Sequence, residues 1–267
     1  MAKLRINWKK TIIITLDIIL GVYIITACVA FDRPTAAMGV CTKVNIDIQD
    51  KATNGFITAT EIKKRLESNR LYPLAKAISS VNTRTVEETL EKSPFVKKAE
   101  CYTTEDGQVC ITLTQRMPTL RIKAVNGEDY YIDDNHRVMP NSNYTSDLII
   151  ASGHISKWYA RNYVSYLAEN LMADKFWRNQ IVQINVLPDL GIELVPRVGN
   201  HIVYIGRLPE SQYPAVRRQR ISDYVSTKMK RLELFYRYGL SQAGWNKYAY
   251  INIEFDNQII CKKATLN

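Results

Sequence analysis

The sequence predicts an α+β protein with an amino-terminal transmembrane helix, a small β-α-α-β-β domain, and a sheet-rich α+β domain that ends in an edge strand. Three observations predict this fold: one long apolar segment, a strand-helix-helix-strand-strand order after it, and short alternating segments over most of the remainder. The predicted boundaries are a tail over 1–10, a span over 11–31, a linker over 32–39, and domains over 40–116 and 117–267.

The apolar segment runs from Thr11 to Phe31 and follows a cationic terminus that contains Lys3, Arg5, Lys9 and Lys10. Its 21 residues at ~1.5 Å each reach about 31 Å as a helix, enough to cross the hydrocarbon core of a bilayer. The positive-inside rule then places the amino terminus in the cytoplasm and the bulk of the chain beyond the membrane. We therefore expect a single-pass membrane protein whose main part lies on the far side of the membrane from the cytoplasm.

Two alternatives concern processing of this segment. A cleaved signal peptide has a shorter apolar core of ~7–15 residues and an Ala-x-Ala site, and this segment has neither. However, Ile25-Thr26-Ala27-Cys28 resembles a lipoprotein cleavage box, which would be cut before a lipidated Cys28. The uncleaved anchor is the favoured interpretation, and lipidation of Cys28 stays open.

Asp17 lies inside the predicted span. A carboxylate at the middle of a membrane costs about 2.5–3.5 kcal/mol on insertion scales, so such residues often have a functional partner. We consider two interpretations: Asp17 contacts a partner helix, or protonation and local membrane thinning relieve its cost.

The composition indicates a folded, basic protein, with 46% hydrophobic residues, 16 tyrosines and a net charge of +10. A basic exported domain suits acidic lipid headgroups or an acidic protein partner, and nucleic acid is not expected there. Four cysteines follow the span: Cys41, Cys101, Cys110 and Cys261. A Cys101–Cys110 disulfide is disfavoured because a three-residue loop ending in left-handed Gly107 pairs Cys101 with Ile111 and turns Cys110 to the other face.

The first domain begins with an alternating strand from Val40 to Asp50. Two helices follow, one capped by Thr58 or Thr60 and carrying Ile62 and Leu66, the other capped near Thr83 or Thr85 and carrying Val86 and Leu90. A hairpin from Phe95 to Gln115 closes the domain. Arg116-Met117-Pro118 marks its boundary, since proline ends regular pairing.

The second domain is predicted to contain strands at 120–124, 130–132, 148–151, 181–187, 191–196 and 201–205, with a helical region over 156–179. Pro214 opens a basic helix whose cations are expected on a solvated face rather than on a binding stripe: Arg217, Arg218, Arg220, Lys228, Lys230 and Arg231. The final segment, Tyr248 to Lys263, alternates as a hairpin with a two-residue turn at Asp256-Asn257 and a closing strand from Gln258.

These features resemble the bacterial cell-division family FtsQ/DivIB along essentially the whole chain. The most specific stretch is Gln115-Arg116-Met117-Pro118, followed by Tyr130-Tyr131-Ile132-Asp133 and Val138-Met139-Pro140. It is similar to the family's junction between a POTRA domain and a sheet-rich domain. His136 stands where the family usually has glycine. Ile205-Gly206-Arg207 and the carboxyl-terminal hairpin also match.

The resemblance implies a division scaffold that binds the coiled-coil proteins FtsB and FtsL and, through them, regulates the septal wall synthase. In this family a segment of FtsB adds a strand to the last sheet edge, and an edge strand can accept such a segment because its backbone groups are unpaired. The residues that the resemblance assigns to partner binding are Arg207, Phe255, Gln258, Ile259, Ile260, Cys261 and Lys262. The opposing interpretation is that the terminal strand only completes the sheet and that its charges protect it.

No enzyme, cofactor or metal site is predicted. The sequence has no G-x-S-x-G frame, and His136, His154 and His201 lack metal-ligand spacing. Glu128, Asp129, Asp133 and Asp134 could form a glycan-cleaving acid pair, but they fall in turns, where acids are common. The alternative function is a free-standing periplasmic POTRA adaptor in envelope protein assembly, because the remaining chain does not suit an outer-membrane barrel.

Overall fold

The computed structural model describes residues 8–31, 39–49, 56–142 and 147–264. The tail cations Lys3 and Arg5 and residues 32–38 of the predicted linker lie outside the described residues. Helix α1 spans Trp8–Phe31 and contains 24 residues. Its large apolar side chains between Ile12 and Ile25 are exposed. Within the described ranges, no helix combines the length and the hydropathy that a membrane crossing requires.

The first domain has the predicted strand-helix-helix-strand-strand order. Its elements are β1 (Lys43–Gln49), α2 (Ala59–Ser68), a 3-10 turn (Ile78–Ser80), α3 (Thr83–Glu91), β2 (Val96–Thr103) and β3 (Gln108–Gln115). The sheet order is β1-β3-β2, with β1 parallel and β2 antiparallel to β3. The helices bury their apolar stripes against this sheet, which confirms the predicted core positions Ile62, Leu66, Val86 and Leu90.

The helix caps lie near the predicted positions, with one change of capping residue. Thr58 caps α2 through a capping box, because its hydroxyl accepts from the Glu61 N–H while the Glu61 carboxylate accepts from the Thr58 N–H. The cap of α3 is Asn82, whose side-chain oxygen accepts from the Thr85 N–H at 3.0 Å. The cap was predicted near Thr83 or Thr85; its location is right, but the capping residue is Asn82, one position before Thr83, because asparagine is an equally good cap.

The hairpin between β2 and β3 has the predicted register. Gly107 has a φ of +74°, and Cys101 pairs with Ile111. Cys41, Cys101, Cys110 and Cys261 all carry free thiols. Burial raises the pKa of the Cys101 thiol to about 12, so this thiol is a poor nucleophile.

The second domain is built on a nine-stranded mixed sheet with the order β12-β11-β10-β9-β8-β7-β4-β5-β6. Its strands are β4 (Pro118–Ala124), β5 (Asp129–Asp133), β6 (Val138–Pro140), β7 (Ile149–Gly153), β8 (Ile181–Val186), β9 (Gly191–Pro196), β10 (Ile202–Arg207), β11 (Tyr248–Asn252) and β12 (Ile260–Lys263). Strand β6 was not predicted, because three residues are too few to show alternation.

Helices cover one face of this sheet and bury the main core against it. They are α4 (Lys157–Tyr159), a π-helical turn (Ala160–Val164), α5 (Ser165–Ala173), α6 (Lys175–Gln180), α7 (Pro214–Phe235), a second π-helical turn (Tyr236–Leu240) and α8 (Ser241–Ala243). The predicted helix over 156–179 is interrupted at Asp174, whose carboxylate caps α6 by accepting from the Phe176 and Trp177 N–H groups.

The junction between the two domains is fixed by ionic and aromatic contacts. Arg116 donates from Nε to the buried Asp133 carboxylate at 2.7 Å and from Nη1 to the Pro94 carbonyl at 2.8 Å. The same carboxylate accepts from the backbone N–H groups of the turn that follows β5. In this turn His136 adopts a φ of +56°, the left-handed conformation that glycine adopts without strain. Phe56 also meets Tyr131 edge to face, with ring centroids 5.7 Å apart.

Candidate partner-binding edge

Strand β12 lies at one end of the nine-stranded sheet and pairs only with β11 among the described residues. The register places Ile260 opposite Asn252, Cys261 opposite Ile251 and Lys262 opposite Tyr250. The Ala264 N–H donates to the Lys247 carbonyl at 3.0 Å, on the β11 side. Backbone direction alternates along an antiparallel strand, so the N–H and C=O groups of Cys261 and Lys263 point away from β11. The edge is therefore an open backbone ladder.

The side chains of β12 present different chemistry on the two sheet faces. Cys261 lies on the helix side beside buried Ile251 and packs partly against the main core. Burial raises the pKa of the Cys261 thiol, which keeps it a neutral packing group. Ile260 and Lys262 lie on the opposite face and are exposed. A strand added here would meet an apolar and a cationic side chain on that face.

The connection from β11 to β12 is longer than predicted. Residues 253–259 separate the two strands, so the two-residue turn at Asp256-Asn257 was wrong, and Gln258 and Ile259 precede the strand rather than form it. Ile253 is fully buried in the core and its N–H donates to the Tyr204 carbonyl at 2.9 Å. The chain therefore leaves β11 toward β10 before it returns to β12.

Two cations of α7 hold this connection in place. Lys228, with only 3% of its side chain exposed, donates from Nζ to the Glu254 carbonyl and to Asp256 Oδ1. Arg231 donates from Nη2 to the Gln258 carbonyl at 3.0 Å. The hydrogen bond from Lys228 also lowers the pKa of the Asp256 carboxyl. The position of β12 thus depends on side chains that lie behind the edge.

The expectation that the α7 cations are all solvated was wrong for Lys228 and Arg217. Arg217 is buried, donates to the Ser211 carbonyl and to Asn162 Oδ1, and lies over the Tyr163 ring. The sequence contained the signal for both, because positions 217, 221, 225, 228 and 232 follow the helical spacing of one face. Because they are cationic, Arg217 and Lys228 were expected to be exposed to solvent, whereas their positions on the helix place them on its buried face.

A groove of about 600 Å³ opens beside the start of β12. It lies between the carboxyl-terminal end of α7 with the π turn and residues 256–259, and its helical wall consists of Arg231, Leu234, Phe235, Tyr238 and Gly239. Leu234 and Tyr238 are 51% and 70% exposed. Leu234 and Tyr238 were not among the predicted site residues, although their spacing of four places them together on one face of a helix.

The remaining predicted site residues lie at different distances from β12 in the sheet. Phe255 is in the 253–259 connection and is 45% exposed. Arg207 ends β10, which β11 separates from β12, and its guanidinium lies 3.6 Å from the Asp189 carboxylate. The connection 253–259 starts beside Tyr204 of β10. Arg207 and Phe255 therefore both lie at the carboxyl-terminal ends of the parallel strands β10 and β11. Asp17 lies in α1 and is not part of the edge.

The other candidates from the sequence have structural partners. The acids Glu128, Asp129, Asp133 and Asp134 pair with Lys157, Arg121, Arg116 and Lys97, respectively. His201 is buried and its Nε2 lies 2.7 Å from the Tyr236 hydroxyl, whereas the His136 ring packs on Tyr166. Over the part of the chain that is described, no group of three or more His, Cys, Asp or Glu residues is arranged to hold a metal ion.

Comparison with family models matches both domains. A POTRA-like domain model matches residues 39–114, and the FtsQ/DivIB C-terminal related model matches residues 117–262, more than half of the chain. The chain belongs to the FtsQ/DivIB family. Both matched families consist of scaffold domains rather than enzymes, and they make this FtsQ/DivIB chain a division-related scaffold. Comparison with individual curated proteins gives no match.

Proposed function

We propose that this FtsQ/DivIB chain binds the division proteins FtsB and FtsL by accepting a strand of FtsB along β12. The observation that carries the proposal is the open ladder of β12, which pairs on one side only among the described residues. A partner strand gains affinity from main-chain hydrogen bonds to Cys261 and Lys263. Specificity then comes from the side chains at alternate positions.

The surroundings of the edge favour an acidic partner segment with apolar residues. Lys262, Lys263 and Arg231 place positive charge along and behind β12, whereas Ile260 and the exposed Leu234 offer apolar contact. Such charges steer association and help select the partner. Arg207 and Phe255 would contact a different part of the same partner, which follows the added strand and lies near the end of β10.

The proposal includes a location and a role. Helix α1 as described does not meet the length and hydropathy of a membrane crossing, so the anchor is proposed from the sequence: a single inner-membrane segment with a cytoplasmic amino terminus would place both domains in the periplasm at the division septum. The support is the apolar sequence from Thr11 to Phe31 and the exposed side chains of α1. In this arrangement the protein has no catalytic role, recruits FtsB and FtsL, and through them regulates the septal wall synthase. Asp17 is then a candidate contact with a partner helix.

Removal of one backbone N–H group, that of Lys263, tests the proposed strand addition. Lys263→Pro removes an outward N–H, which proline tolerates at an edge, whereas Lys263→Ala removes the same charge and keeps the N–H. We expect Lys263→Pro to reduce co-purification of FtsB and FtsL with the full-length chain at least about tenfold, corresponding to ~1.4 kcal/mol of lost affinity. Lys263→Ala should bind within about threefold of wild type.

Deletion of residues 258–267 provides the limiting case and should abolish the interaction while the rest of the chain stays folded. Retained binding after this deletion, or equal effects of the proline and alanine variants, would refute strand addition at β12. Depletion of the protein from cells tests the role itself. Filamentous cells support division, whereas loss of outer-membrane proteins without filamentation would support the adaptor function instead.

A further inference from the structure

The described residues contain four sheet edges: β12 is the edge proposed above for the partner strand, and two of the others are short or covered. The edge β6 has three residues and ends in Pro140. The edge β2 is covered by α3, because Glu87 Oε1 accepts from the Cys101 N–H at 2.7 Å and Glu91 Oε1 accepts from the Ala99 N–H at 3.2 Å. Short length, proline and covering groups discourage further pairing at these two edges.

The fourth edge, β1, is longer than β6, has no proline and carries one lysine, Lys43. Its seven residues pair with β3 on one side only. The Cys41 backbone bonds to Ala75 and Lys76 on the outer side, whereas the Thr42 N–H donates to Gly107, on the β3 side. Alternation therefore directs the backbone groups of Lys43, Asn45, Asp47 and Gln49 outward. The free ladder starts where the 75–77 segment stops.

We propose that β1 pairs antiparallel with β1 of a second copy of this chain, with the two-fold axis at Ile46. Centred there, Lys43 faces Gln49, Val44 faces Ile48, and Asn45 faces Asp47 of the other copy. This register uses all seven free residues of both strands. A register centred on Asn45 would instead place Gln49 against Cys41, where the 75–77 segment already lies.

The side chains of β1 are complementary to themselves in this register. The exposed face carries no like charges in opposition: each Asp47 carboxylate meets an Asn45 amide, and each Lys43 lies diagonal to an Asp47. On the other face, Val44, Ile46 and Ile48 are only half-buried against their own domain. Pairing the two strands joins these residues into one apolar row across the axis, which removes more of their surface from water. A second copy therefore fits the edge chemically as well as geometrically.

Two substitutions at exposed positions test the register. Asp47→Lys places a cation opposite the Asn45 amide and diagonal to Lys43, whereas Asn45→Lys places a cation opposite Asp47. We expect the full-length chain in detergent to dimerise with concentration in sedimentation velocity. Asp47→Lys should raise the dimer Kd about tenfold, and Asn45→Lys should lower it, since opposite charges at facing positions of two strands stabilise their pairing.

The dimer should persist after deletion of residues 258–267, because it does not use β12. Thermal melting serves as the folding control for both substitutions, which change solvent-facing side chains and should leave the melting temperature within a few degrees. A chain that stays monomeric at all concentrations, an Asp47→Lys variant that dimerises like wild type, or an Asn45→Lys variant that dimerises less would overturn the proposal.

Discussion

Replacement of Lys228 by methionine tests whether hydrogen bonds from helix α7 position the partner-binding edge β12. Methionine has a similar length and apolar stem, so the core around α7 stays filled. What is lost is the ammonium that donates to the Glu254 carbonyl and to Asp256. Lys230→Met is the matched control, because Lys230 is on the same helix and is exposed.

The magnitude follows from two opposing quantities. A hydrogen bond from a charged donor to a carbonyl contributes about 1.5–3 kcal/mol, while burial of the Lys228 ammonium costs part of this gain. The Asp256 side chain is 82% exposed, so water replaces its lost partner. We expect a net local loss of ~1–2 kcal/mol, which raises the open population of the connection and of β12 about 5–30-fold.

Hydrogen exchange measures this loss at the edge itself. The amides of Ile260, Lys262 and Ala264, which face β11, should exchange about 5–30-fold faster in Lys228→Met, while amides of the central strand β8 should change little. Recovery of FtsB with the chain should fall only in proportion to the fraction of chains in which β12 is open, although no substituted atom contacts the partner. Unchanged exchange at β12, or an equal effect of Lys230→Met, would refute the idea that the buried lysine positions the edge.

Three further predictions concern stability. Burial lowers the pKa of His201 below its usual value near 6.5, so the contribution of this residue to stability is full above pH 6.5 and is lost as the pH falls below it. The melting temperature should therefore fall less between pH 7.5 and 5.5 in His201→Gln than in wild type. The pH dependence that remains in this variant is assigned to His136, whose pKa burial also lowers. Gly206→Ala should lower the free energy of unfolding in urea by about 2–4 kcal/mol, because at a φ of +90° its Cβ would lie 2.8 Å from the Tyr224 hydroxyl. Gly127 also has a positive φ but faces open space, so Gly127→Ala should lower it by only ~1 kcal/mol. Equal losses would contradict the steric explanation. Arg116→Ala should cost about 3 kcal/mol, since it leaves the buried Asp133 carboxylate without its guanidinium, and a calorimetric melting temperature within 2 °C of wild type would argue against this assignment.

Local chemistry was enough to predict much of the first domain. The alternation around Ile46, the apolar pairs Ile62–Leu66 and Val86–Leu90, and the left-handed Gly107 each specify a local structure from neighbouring residues alone. The predicted hairpin register followed from side-chain parity and was confirmed by the Cys101–Ile111 pair.

The carboxyl-terminal edge was harder to predict because distant residues determine it. Alternation from Tyr248 onward suggested a tight hairpin. Instead, Ile253 is buried in the core, and hydrogen bonds from α7 fix the longer 253–259 connection in place. Lysine and arginine are usually solvated, so their sequence does not reveal that Lys228 fixes a loop 26 residues further along. The groove at Leu234 and Tyr238 likewise exists only once α7 and the connection are packed together.

The contacts that join the two domains determine how movement passes along the chain. Arg116 ties the loop before β2 to the turn after β5, and Phe56 adds an aromatic contact across the same junction. A rotation of the first sheet must therefore carry the second sheet with it unless a buried ion pair breaks. Reorientation of one sheet against the other therefore requires the Arg116–Asp133 ion pair to separate.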